Sequence, residues 1–470
     1  MRLTWAQPED LLPHELIQSQ TEGKSPEAVA AIARRWETAG GQTTAPVSGA
    51  GPVPATPEVR ALARELMDEL GALAAASMAA EPNEFDQIMA LAVPAPELPA
   101  PDLTGAAFAD RVLGAWQGRA AGCLLGKPVE KIPRQGIEEI LRATGRWPLS
   151  DYFTAKGLPP EVNERWPWNR RSAPTSLAEN ITSMPEDDDL NFPLLALSLL
   201  EESGPDFTTD DVATLWLNNL PGGRVFTAER AAYRNLLDAY SAPETATRNN
   251  PFREWIGALI RADVFGWVNP GDPVSAAKMA WTDARLSHTQ NGIYGEMWAA
   301  ALTSAALAVQ CDAADKNELA AAIDQVLAVA LSVVPRDSQL RQAAEFGAQV
   351  GRTCTDLSAG LDQIHEKYGS LHWVHVLNNV AAGTFALTFG RGDLGQTISA
   401  AVTAGWDTDS IGATVGSVVG GLQGASRLDQ RWIAPMNGVV STSLPGASQH
   451  SFTDLAARTV VLAQTIAKQN

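Results

Sequence analysis

The sequence predicts an all-α protein, and three observations predict it. Ala/Leu-rich segments with helical apolar spacing recur through most of the 470 residues. Strict two-residue alternation of β-branched residues is nearly absent. Glycine recurs every four residues in two of the segments, at Gly114, Gly118, Gly122 and Gly126 and again at Gly412, Gly416, Gly420 and Gly424. Ten or more helices are expected.

The first hundred residues form a separate region. Helical patterns run from Pro26 to Thr38 and from Pro57 to Met78, around the low-complexity linker GGQTTAPVSGAGPVPATP. A second Pro-rich joint, VPAPELPAPDLTG, spans Val93 to Gly105. This divides the chain into an N-terminal helical extension, 1–104, and a main domain, 105–470. The apolar stripe Leu62, Leu66, Leu70 and Leu73 needs a cover, so the extension is expected to pack on the main domain rather than act as a free arm.

In the main domain the helical segments are ADRVLGAWQGRAAGCLLG, LNFPLLALSLLEES, DDVATLWLNNL, MWAAALTSAALAVQ, LAAAIDQVLAVALSVV and LAARTVVLAQTIAKQ. A glycine inside a helix costs about 0.8–1 kcal/mol relative to alanine. Spacing of four places each glycine set on one stripe, where another backbone can come close. Each stripe is therefore expected to face another helix, the second glycine stripe being one candidate.

Composition excludes several function classes. A net charge of −19 repels phosphate backbones, which argues against nucleic-acid binding. Cys123, Cys311 and Cys354 are far apart and form no CxxC pair, so neither a disulfide framework nor a thiolate zinc site is expected. No apolar run is long enough to span a membrane. The start, MRLTWAQPEDLLPHEL, lacks the pattern of a signal peptide. These features fit a cytoplasmic protein, a monomer or small homo-oligomer.

Four motifs carry candidate chemistry. Pro185-Glu186-Asp187-Asp188-Asp189-Leu190-Asn191 precedes an apolar run, and Gly405-Trp406-Asp407-Thr408-Asp409-Ser410 opens the second glycine segment. Read alone, each is an acidic helix N-terminus, favoured by capping and the helix dipole. Read together, they offer the oxygen donors that hard divalent cations take. Glu130 follows the first glycine segment, and the glycine-punctuated stretch Ser287–Glu296 feeds another helix.

In that order, GAWQGRAAGCLLGKPVE, PEDDDLN, SHTQNGIYGEMWAAA and AVTAGWDTDSIGATVGSVVGGLQG resemble the motifs of the ADP-ribosylglycohydrolase family, over roughly residues 105 to 430. The resemblance implies an orthogonal multi-helix bundle with two Mg2+ (or Mn2+) ions. It assigns Glu186, Asp187 and Asp188 as early metal ligands and Asp407, Asp409 and Ser410 as late ones. Glu130 and Asp188 take catalytic places, while His288 and Gly292 belong to the substrate loop, with Tyr294 and Trp406 as candidates for stacking on a base. Four positions depart from the family pattern. Glu186 and Asp189 stand where threonine is usual, Ser410 replaces a threonine, and Cys123 replaces an aspartate. The implied reaction is hydrolysis of a ribosyl glycosidic bond by an activated water. The substrate is a small ribosyl or ADP-ribosyl compound, or an ADP-ribosylated protein. A non-catalytic ADP-ribose-binding or structural protein on the same fold is the alternative. An isoprenoid-synthase-like enzyme is disfavoured by the lack of a second Asn/Asp-Ser-Glu metal motif.

Overall fold

In the computed structural model, which describes residues 2–76 and 80–469, the chain is all-α. Among the described residues the named strands are two three-residue pieces, Val439–Ser441 and Gln449–Ser451, paired antiparallel. No described helix is long and apolar enough to cross a membrane.

The centre is built from helices that can be approached on every side. All residues of the helix Asn291–Ala308 are buried. Apart from Asn291 and Glu296, the latter paired with buried Arg261, its sequence NGIYGEMWAAALTSAALA is almost wholly apolar or small, which is the signature of a core helix rather than a surface one. Alanine keeps its neighbours close without the entropy cost of long side chains.

The two glycine segments form one helix pair, Ala106–Gly126 and Thr408–Gln423. They run antiparallel in strict register: Gly114 meets Gly420, Gly118 meets Gly416, and Gly122 meets Gly412. A Cβ on Gly412 would lie 2.6 Å from the Gly122 carbonyl oxygen, and one on Gly122, Gly118 or Gly416 would overlap the facing carbonyl outright. The helices therefore touch backbone to backbone. Gly126 faces the Thr408 backbone instead of a glycine, and Gly424 ends its helix in the left-handed region, φ +79°. The last step of the first helix is thus pressed against the turn that opens the second. Another glycine contact of this kind joins Gln339–Thr353 to Val376–Gly390, where Gly347 and Gly351 meet the carbonyls of Ala381 and Phe385.

The N-terminal region is packed on this body. Its helices are Pro8–Thr21, Pro26–Thr38, Pro57–Ala72 and Phe85–Leu91. The third ends six residues before the expected Met78, which itself lies outside the described residues. Leu66 and Leu70 of the expected stripe are buried. Buried Arg253 receives the extension through Glu15 (2.7 and 3.0 Å) and Glu22 (2.6 Å), and Gln18 donates to Glu254 (2.6 Å). Trp5 packs edge-on against Phe252, Trp255 and His372 at 5.5–5.9 Å.

Removing residues 1–100 strips the Glu15 and Glu22 carboxylates from Arg253 and uncovers the rings of Phe252 and Trp255 that Trp5 packs against, and exposing a large apolar side chain costs about 1.5–3 kcal/mol. The expected outcome is a large fall in Tm or loss of soluble protein, with Mn2+ affinity of the folded fraction little changed. A truncation that melts like the full chain would show that the extension is a detachable arm.

Candidate metal centre

The early acidic turn is fixed from both sides. Met184 is clamped by the C-terminal strands, donating to Val439 O and accepting from Ser441 N, both at 2.9 Å. Three residues later Asp187 caps the helix Asp188–Ser203, its side chain accepting from Asp189 N at 2.9 Å. Arg119, wholly buried on the first glycine helix, donates Nε and Nη2 to Asp189 O at 2.9 and 2.7 Å. The same guanidinium pairs with Asp263 at 2.9 Å, so the segment Arg261–Pro273 buttresses the turn.

The late turn is fixed by the glycine contact. Thr408 Oγ1 donates to Gly126 O at 2.9 Å, and Asp407 N donates to Asn379 Oδ1 at 3.2 Å. Gly405 and Trp406 both have positive φ, +74° and +72°, which turns the chain sharply into the helix.

The two turns meet. Ser410 Oγ donates to Asp189 Oδ2 at 3.3 Å, across 221 positions of sequence. Asp187, Asp188, Asp189, Asp407, Asp409, Ser410 and Glu130 all line one cavity of about 1680 Å3. Glu130 Oε2 accepts from Asn169 Nδ2 at 2.6 Å, and Lys131 lies 3.5 Å from Oε1. Glu186 also lines the cavity but is turned aside. It accepts from Asn191 (3.0 Å) and pairs with Arg224 (3.2 Å).

So many carboxylates in one buried place resist ionisation. Burial, then Asp187, Asp189, Asp409 and Glu130, push the Asp188 carboxyl well up. Asp189 and Asp407 are raised in the same way, by burial first and by neighbouring carboxylates next. Asp409 is pushed up to about 8 by burial, then by Glu130 and Asp187. Asp187 is the exception: burial pushes its carboxyl up, but the Lys127 ammonium together with hydrogen bonds from Asp189 N and Asp188 holds it low.

A raised carboxyl favours the folded state only while protonated. Between the unfolded value of 3.8 and about 8, the folded chain holds a proton on Asp409 that the unfolded chain has lost, so stability falls as pH rises. The cation-free protein is therefore expected to unfold at lower urea at about pH 8 than at about pH 5. Saturating Mg2+ should flatten that slope, and an equal slope with and without Mg2+ would count against a cation at these carboxylates.

The residues present fit a hard divalent cation. Ligand atoms of Cys123, Asp187 and Asp189 lie within 4.8 Å of one another. Asp189 Oδ1 is buried without a hydrogen bond, its nearest cation being Arg119 at 3.7 Å. Donors on both turns are oxygens, as Mg2+ or Mn2+ requires.

Four expected substrate residues are not brought to this cavity. His288 is 1% exposed and shares a hydrogen bond with Ser287 Oγ through Nδ1 at 2.7 Å. It sits behind the wall, 4.0 Å from Glu229, beside buried Arg261. Gly292 packs against the Arg253 carbonyl, and Tyr294 donates its hydroxyl to Pro82 O at 2.6 Å. The Trp406 ring stacks on His365 at 4.2 Å. The polar, glycine-punctuated stretch 287–296 is buried, with His288 Nε2, Thr289 Oγ1 and one Glu296 oxygen left without a hydrogen-bond partner among the described residues, and it supports the cavity wall from behind.

Sequence reasoning in turn missed Lys127, Asn169, Arg119 and Asp263. Arg119 interrupting an apolar glycine helix was the one visible signal. The cavity wall further out carries Trp166, Trp168, Phe226 and Trp373 beside Arg170 and Arg171, and the N-terminal region adds Thr4, Trp5 and Ser48.

A family model described as ADP-ribosylglycohydrolase matches residues 104–468. The chain belongs to the ADP-ribosylglycohydrolase family. A solved structure titled "ADP-ribosylglycohydrolase-related protein complex" is similar at 21% identity and a TM-score of 0.43, over 76% of this chain and 98% of that one. None of the curated proteins compared matches the chain. Membership of a glycohydrolase family agrees with a buried acidic cluster able to hold metal.

Proposed function

We propose that this chain is a divalent-cation-dependent glycohydrolase that cleaves a ribosyl glycosidic bond, in an ADP-ribosyl conjugate or a related ribosyl or nucleoside substrate. The observation that carries the reading is the junction of the two acidic turns through Ser410 and Asp189 on the floor of a cavity large enough for a dinucleotide-sized ligand. Asp188, Asp189, Asp407, Asp409 and Ser410 would hold the cation, Mg2+ or Mn2+, beside Asp187 and its Lys127 partner; the family resemblance implies two ions. Bound there, a cation supplies Lewis-acid polarisation of water and of ribose hydroxyls.

The rest is work for the chain's own groups. Glu130 stands at the cavity edge of the cluster, its carboxylate oriented by Asn169, where it can align a water and take its proton as positive charge develops on the sugar ring. The surrounding carboxylates favour that developing charge. The outer wall carries tryptophan and phenylalanine side chains as well as arginines, which suits a base and its phosphates.

The test is release of ribosyl product from ADP-ribosylated arginine, ADP-ribosylated serine and nucleosides, with Mg2+ or Mn2+ and with EDTA. Cation-dependent release from one of them is expected. Saturable ADP-ribose binding with no release from any would instead support a binding protein on this fold.

A further inference from the structure

We propose that the Lys127 ammonium fills one of the cation positions of this centre, so that the chain takes a single divalent cation where the family resemblance implies two. The inference rests on the cation-dependent reading above and sets its stoichiometry.

Backbone geometry forces the lysine into the cluster. Gly126 is pressed against the backbone of Thr408 and Asp409, so the residue that follows it emerges between the two acidic turns. Lys127 is 5% exposed. Its Nζ pairs with the Asp187 carboxylate and donates to Glu186 O at 3.1 Å. It therefore occupies a donor that the resemblance assigns to metal, and a metal ion beside an ammonium meets like-charge repulsion. The donors left on Asp188, Asp189, Asp407, Asp409 and Ser410 are enough for one hard cation completed by water.

Charge bookkeeping agrees. Cys123 puts a neutral thiol where the family pattern has a carboxylate, and Lys127 adds a positive charge. Together these remove two negative units, the charge of one divalent ion. Of the two carboxylates added at the threonine places, Glu186 has Arg224 at 3.2 Å, while Asp189 shares Arg119, 3.7 Å away, with Asp263.

The experiment is Mn2+ titration of the full chain, read by metal content after desalting and by electron paramagnetic resonance. The expected result is one tightly held Mn2+ per chain with an uncoupled spectrum, and two in Lys127→Ala with an exchange-coupled one. Two tight ions in the wild type overturn the inference and leave the proposed function standing. One ion in a folded Lys127→Ala or in a folded Lys127→Ser also overturns it. No tight ion in the wild type overturns the metal reading itself. Should neither variant fold, the wild-type stoichiometry alone decides.

Discussion

Asp409→Ala is expected to lower cation-dependent turnover by roughly 1,000-fold or more while the protein stays folded. Loss of a charged ligand removes several kcal/mol of transition-state stabilisation, and each 1.36 kcal/mol is tenfold in rate. Stability should move the other way in the absence of cation. Asp409 is buried beside Glu130 and Asp187, so deleting it relieves like-charge repulsion. The variant is expected to melt at or above the wild-type Tm in EDTA and to lose the stabilisation that Mg2+ gives the wild type. Kinetics and melting curves with and without Mg2+ check both halves. Undiminished turnover would remove the late turn from the site.

Gly122→Ala is expected to have the largest effect on stability of any single methyl addition in the chain. The new Cβ meets the Gly412 carbonyl oxygen and carbon, which are helix backbone and cannot rotate away. Overpacking a core costs about 1–3 kcal/mol when side chains can adjust, and more when they cannot. The helix pair must spread, and with it the turns at Gly126 and Thr408 that carry Lys127 and Asp409. A Tm fall of many degrees and a parallel loss of Mn2+ affinity are expected, measured by calorimetry and titration. Gly71→Ala, in a helix on an open face with nothing within 4 Å, is the control and should leave Mn2+ affinity unchanged and Tm equal or slightly higher.

Much of this was legible in the sequence because helices advertise themselves. The apolar period marked the segments, and glycine at every fourth position marked two backbones that approach something closely. That the stripes face each other needed coordinates, since spacing fixes a face and not its partner. The acidic turns were legible as helix starts and gained meaning only by meeting through Ser410 and Asp189. Lys127 could not be found this way. A lysine before a proline reads as solvated, and its burial follows from the Gly126 contact, which is tertiary. His288 and Tyr294 entered as substrate-loop candidates through the family resemblance, and the structure pairs Tyr294 with Pro82 and His288 with Ser287.

Two turns some 220 residues apart in sequence meet through Ser410 and Asp189, and they act on one cation in the proposed function. Mn2+ affinity of Asp188→Asn, Asp409→Asn and the double variant tests this most directly, since groups acting on one ion cannot contribute independently. Even outer-sphere partners of a metal are worth 10–100-fold, so each single variant is expected to bind at least roughly 100-fold more weakly. The double variant should bind little worse than the weaker single. Unchanged affinity in either single variant, or losses that multiply in full, would contradict the account.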